Sequence, residues 1–90
     1  MNKTDLIGFV VDQTGLQKND ASKAVEAVFD GIVSSLQKGN AATFVGFGTF
    51  SIVHREAREG RNPRTGGTIQ IPASNQPKFK AGKSFKDAVN

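Results

Sequence analysis

Arginine stands at positions 55, 58, 61 and 64 of the run REAREGRNPRTGG, one every third residue. A guanidinium carries a permanent charge and a planar fork of donors that matches the oxygens of a phosphate or carboxylate. Asn62 and Pro63 lie between the last two arginines, and Gly66 and Gly67 close the run. Large hydrophobic residues vanish after Arg55 until Ile69, so the segment has little of its own to bury. In an ideal strand a spacing of three alternates faces, placing Arg55 and Arg61 opposite Arg58 and Arg64. Charge on both faces leaves no side for a core. The chemistry on offer is ion pairing with a polyanion, guanidiniums laid along phosphates. The other reading is a solvated loop, in which Glu56 and Glu59 neutralise part of the charge.

The rest of the chain sharpens the choice. Residues 1–45 hold four lysines against five acids, while residues 46–90 hold eight basic residues against three. The net charge of +4 is therefore concentrated in the second half, as expected when that half meets a polyanion. Pro63 sits where a basic ribbon would turn. It can be a turn former and nothing more, or a rigid apolar wedge that enters between base pairs, as prolines do in architectural minor-groove proteins.

Catalysis finds little support. His54 is the only histidine and there is no cysteine, so the common metal clusters lack ligands, and no cofactor is expected. Ser84 beside Lys83 has the composition of an activated nucleophile without its surroundings; Lys83 suits a phosphate contact at the start of a helix better. VGFGTF echoes the RNA-recognition signature, yet Val45 takes the basic place and Thr49 an aromatic one. Its Gly-x-Gly lacks the following helix that a phosphate cradle requires. The opening MNKTDLIGFVVDQTG has an apolar run of six residues, too short for a secretory signal. A soluble cytoplasmic protein is expected, with no membrane contact and no small-molecule substrate.

Positioning these residues requires a small α+β domain, one and not two at 90 residues. Leu6, Ile7, Val10 and Val11 form an apolar stripe that predicts a helix over 3–14, capped by Asn2 with Asp5 near its positive end. Gly8 weakens that helix, which needs tertiary support. Ala21, Val25, Val28, Phe29, Ile32 and Leu36 share one face of a second helix, from about Lys18 to Lys38, with a left-handed cap at Gly39-Asn40. Gln17 is a poor N-cap, so the start could slide towards Asn19 or Asp20. The period then changes to two. ATFV and GFGTFSIVHR read as a hairpin, IQIP as a returning strand pairing towards Val53, PKFKA as a short strand, and GKSFKDAV as a final helical turn or two. Between them the arginine run makes a long two-stranded ribbon, marginal by itself in water.

GRNPRTG after GFGTF, with FKAGKSFKDAV at the end, closely resembles the bacterial histone-like HU family over the whole chain. The resemblance implies an intertwined dimer, homodimeric or paired with a paralogous subunit. Two N-terminal helices, a three-stranded antiparallel sheet with a long β-ribbon arm and a short C-terminal helix would make each subunit. A helical base covers about 1–40, sheet and body about 41–54 and 72–90, and the arm about 55–71. The two arms embrace double-stranded DNA through its minor groove, bending it and compacting the nucleoid. Carried onto this chain, Arg55, Arg58, Arg61, Asn62, Pro63 and Arg64 belong to the arm, Pro63 being the wedge. Lys3, Lys80, Lys83 and Lys86 match body positions that touch phosphates, and Phe47, Phe50 and Phe79 match buried aromatics of the dimer core. The family's arm usually carries lysine where Gly67 stands, often another basic residue at Asn75, and a neutral residue at Arg64. A basic RNA-binding or ribosome-associated protein, or a module for an acidic protein partner, is the alternative function.

A dimer also makes sense from below, the alternative being a monomer whose phenylalanines pack internally. Seven phenylalanines and two helical faces need cover, while the arm contributes nothing to a core. Oligomerisation is one of the few remedies for a small domain without disulfides or metals.

Overall fold

The computed structural model describes all 90 residues. Helix α1 spans Lys3–Thr14. The Asn2 side-chain oxygen accepts from the Asp5 N–H at 2.9 Å, and the Asp5 carboxylate accepts from the Asn2 N–H at 3.3 Å, a reciprocal capping box. The helix stops at Gly15, whose φ of 72° is left-handed. Helix α2 spans Lys18–Gln37. It starts at Lys18 although Gln17 gives no side-chain hydrogen bond, so packing of the apolar face, rather than a cap, fixes its first turn. At its far end the Asn40 N–H donates to Ser35 O and the Gly39 N–H to Leu36 O, both at 3.0 Å. With φ of 80° at Gly39, these bonds form the expected left-handed cap.

Five strands and a helix follow: β1 (Ala42–Phe44), β2 (Gly48–Arg55), β3 (Arg58–Arg61), β4 (Thr68–Ile71), β5 (Ser74–Ala81) and α3 (Lys83–Ala88). β1, β2 and β5 form an antiparallel sheet with β2 in the centre, and β3 pairs with β4 in a separate ribbon. Two strands depart from the expectation. Residues 68–71 pair with 58–61 and not towards Val53, whose partner is Gln76. β5 is a full eight-residue strand rather than the short one around PKFKA. Its polar start, Ser74-Asn75-Gln76, carries no hydrophobic signal because that end of the sheet lies open to solvent.

The β2–β5 register pairs Phe50 with Phe79 and Ile52 with Pro77, while the alternate positions pair Thr49 with Lys80 and Ser51 with Lys78. Strand alternation thus gives the sheet one apolar and one basic, hydroxyl-rich face. Gly48 is the close approach that permits this pairing. A Cβ there would lie 2.5 Å from Lys80 O and 2.6 Å from the Phe79 ring.

Helix α2 packs against α1 on one side and against β1 and β2 on the other. Burial is nonetheless sparse: 4 of 90 residues are buried, and the buried hydrophobic side chains are Ala21, Val25 and Leu36. Phe47 and Phe79, expected in a core, are 47% and 41% exposed, and Phe50 is half-buried. They gather with Phe44 and Phe85 in a chain of ring contacts, Phe50–Phe79 at 4.7 Å and Phe47–Phe85 at 5.0 Å between centroids. The cluster is assembled but uncovered. The radius of gyration, 18.7 Å, exceeds the roughly 12 Å of a compact chain this long.

Candidate nucleic-acid interface

The arm begins where β2 ends. Beyond Arg55 the strand breaks at Glu56-Ala57 and resumes as β3, and Arg64 sits in the turn at the tip. The four arginines therefore do not share one continuous strand, and the simple alternation of faces fails. Arg58 and Arg61 alone share β3, on opposite faces. One ribbon face carries Arg58, Gly60, Ile69 and Ile71; the other carries Glu59, Arg61, Thr68 and Gln70. Ile71 folds over Gly60, where a Cβ would meet its Cδ1 at 2.8 Å. Two isoleucines thus give the ribbon a small apolar seam that the composition of the arginine run does not reveal.

All four arginines are exposed, and none has an acidic partner. Glu56 does not neutralise them. Its Oε1 lies 3.2 Å from His54 Nε2, and His54 Nδ1 lies 2.8 Å from Asn75 Oδ1 across the β2–β5 pair. His54, Asn75 and Glu56 form a clasp at the root of the arm, and Asn75, where the resemblance expects a basic residue, is a structural partner here.

At the tip, Asn62 is half-buried in an otherwise exposed turn. Its N–H donates to Gly67 O at 2.7 Å, its carbonyl accepts from the Gly66 N–H at 2.7 Å, and its side-chain oxygen accepts from the Arg64 N–H at 2.8 Å. Gly66 takes a φ of 71°, which glycine adopts without strain. Pro63 stands exposed at the head of this turn.

The four body lysines are exposed. Lys80 lies on the basic sheet face, Lys83 opens α3 as expected, and Lys86 follows in the last turn of that helix. Lys3 is engaged: its Nζ lies 3.0 Å from Glu26 Oε1 and 5.6 Å from the centre of the Phe29 ring. Sequence reasoning missed Lys78, which shares the sheet face of Lys80 and pairs with Ser51. The two-residue spacing of Lys78 and Lys80 was the available signal. Phe44 and Phe85 were missed as members of the aromatic cluster, because only the register, which sets Phe44 beside Gly48 and Gly48 beside Ala81, brings β1 and the start of α3 to the same end of the sheet.

A helical base, a sheet with one basic face and an arm bearing four unpaired guanidiniums from root to tip define a class: a small basic α+β protein with a projecting β-arm. The chain belongs to the bacterial histone-like HU family, its residues 1–90 matching the family described as bacterial DNA-binding protein. It is 57% identical over 90 residues to DNA-binding protein HU-1 of Halalkalibacterium halodurans, covering 100% of both chains. To DNA-binding protein HU of Geobacillus stearothermophilus it is 55% identical over 89 residues, 99% of each. Among solved structures it is similar to the Anabaena HU–DNA cocrystal structure, with TM-score 0.88 and 39% identity over 99% of this chain and 97% of that one. HU from Thermotoga maritima superposes with TM-score 0.71 at 30% identity, covering 100% of both.

Proposed function

We propose that this protein is an architectural, largely sequence-independent binder of double-stranded DNA that wraps and bends the duplex with two β-ribbon arms. One observation carries the reading: an arm with four unpaired arginines, from Arg55 at its root to Arg64 at its tip, ends in an ordered turn that exposes a proline. The family, and the similarity to a protein solved on DNA, support the same partner. Arg55, Arg58, Arg61 and Arg64 follow the phosphates, with Lys80, Lys83 and Lys86 extending the track over the body. Lys3 joins it once its pairing with Glu26 is exchanged for phosphate. The arms occupy the minor groove, whose edges distinguish little beyond A·T from G·C, so preference follows deformability rather than base order. Pro63 parts a base step. Unstacking costs a few kcal/mol, offset by the phosphate contacts that a bent duplex allows.

Two arms require two protomers. The uncovered phenylalanines, Val28 at 60% exposure and Phe44 at 42% support a second copy, or a paralogous subunit, completing the core around Phe47, Phe50 and Phe79. The chain then divides into a helical base over 1–40, sheet and body over 41–54 and 72–90, and an arm over 55–71. The partner so defined is the DNA of the nucleoid, in the cytoplasm, and the reading assigns no catalytic step or cofactor.

The test is end-to-end energy transfer in a labelled random-sequence duplex as protein is added, with anisotropy recorded in parallel. Transfer should rise to saturation and reverse with salt. About 6–10 phosphate contacts per dimer imply a loss of roughly 10³–10⁵ in affinity between 50 and 200 mM salt. Binding without a change in transfer would leave a coating protein that does not bend DNA. Preference for structured RNA of equal length over the duplex would overturn the choice of partner.

A further inference from the structure

Within the arm, Asn62 stands apart from the arginines beside it because its acceptors are already used. Three hydrogen bonds converge on this residue. Its N–H and carbonyl close the turn onto Gly67 and Gly66, and its side-chain oxygen caps the Arg64 N–H. Thr65 adds a fourth bond, its hydroxyl oxygen accepting from the Gly67 N–H at 3.2 Å. The Asn62 bond spans two residues, the local geometry in which a short Asx side chain stands in for a backbone turn. It brackets Pro63: the residue before the proline reaches over to the N–H of the residue after it. The proline ring fixes one dihedral by itself, and the asparagine bond limits those that follow.

We propose that Asn62 is a positioning residue, which presents Pro63 in its inserting geometry before DNA arrives and does not read bases. The inference rests on the wedge reading given above. A tip already closed in the free protein spares the complex the cost of ordering it on binding. It also explains why the residue between Arg61 and Pro63 carries its side-chain oxygen one methylene nearer the backbone than glutamine would. Aspartate can accept the same bond, whereas glutamine keeps the amide but carries its oxygen too far along to close the same turn.

The decisive comparison is therefore among Asn62→Asp, Asn62→Gln and Asn62→Ala in the full chain, with Pro63→Ala alongside. In the free protein, exchange of the Arg64 amide should quicken about three- to tenfold in the alanine and glutamine variants and stay slow in the aspartate variant. The Thr65 amide, which makes no such bond, serves as the internal reference. On a labelled duplex at saturating protein, Asn62→Asp should bend DNA as the parent does, even as its added negative charge weakens binding. Asn62→Gln should bend as poorly as Asn62→Ala. The reverse order, glutamine retaining the bend and aspartate losing it, would mean that the amide contacts DNA directly and would overturn the proposal. Unchanged Arg64 exchange in Asn62→Ala would also overturn it. If Pro63→Ala bends DNA fully, the wedge reading fails instead, and the exchange rates still decide whether Asn62 holds the tip.

Discussion

Residues of the arm divide into those that supply charge and those that supply shape. Arg61 has no acidic partner and sits on β3 immediately before the tip, so its contribution to binding is not masked by an internal contact. Arg61→Ala should weaken binding to all sequences alike and lower the slope of log affinity against log salt by about two per dimer, one for each arm; a loss confined to one sequence would indicate direct base readout. Pro63→Ala should reduce bending more than binding, measured by energy transfer and anisotropy on the same duplex. Equal bending by the variant would leave Pro63 as a turn residue only. Glu56 is different again, for its carboxylate is held at His54 and away from the arginines. Counting charges along the run therefore misstates how many guanidiniums are free, since both acids were available on paper and neither is used to pair them.

At the scale of elements, the body is fixed by a few close contacts more than by bulk. The approach of β2 to β5 at Gly48 leaves no room for a methyl group, with Lys80 O and the Phe79 ring both under 3 Å from its place. Gly48→Ala should cost about 1–3 kcal/mol, read as a lower urea midpoint with the slope unchanged. A neutral effect would show that the strands can part there without loss. Both helices were legible in the sequence because their apolar spacing and end residues agree: Asn2 with Asp5 at one end, Gly39 at another. The hairpin and the closing helix were legible for similar reasons. Pairing partners were not. The strand at 68–71 bears isoleucines at alternate positions, which say that it is a strand but not which strand it meets; it meets β3, which begins at Arg58, while Val53 meets β5. Of the candidate site, the arm was legible because charge without burial is itself a pattern. The His54 clasp and the Asn62 turn were not, for each depends on atoms brought together by register.

The whole molecule is an assembly part. Its elongated shape, 58 × 30 × 28 Å, and its exposed ring cluster leave the protomer with less interior than its 90 residues could enclose. Under the dimeric reading, the unfolding temperature should rise with protein concentration, because the associated state is favoured by mass action; a constant unfolding temperature over a hundredfold dilution would contradict it. The same sparse interior bears on how such a protein accumulates. Under that reading a protomer with four buried residues would have little to keep it closed while alone, and a newly made chain would stay open to cellular proteases until it met a second. Meeting is second order and degradation first order. The stock of finished protein then climbs more steeply than its rate of synthesis when chains are scarce, and in proportion to it once they are plentiful.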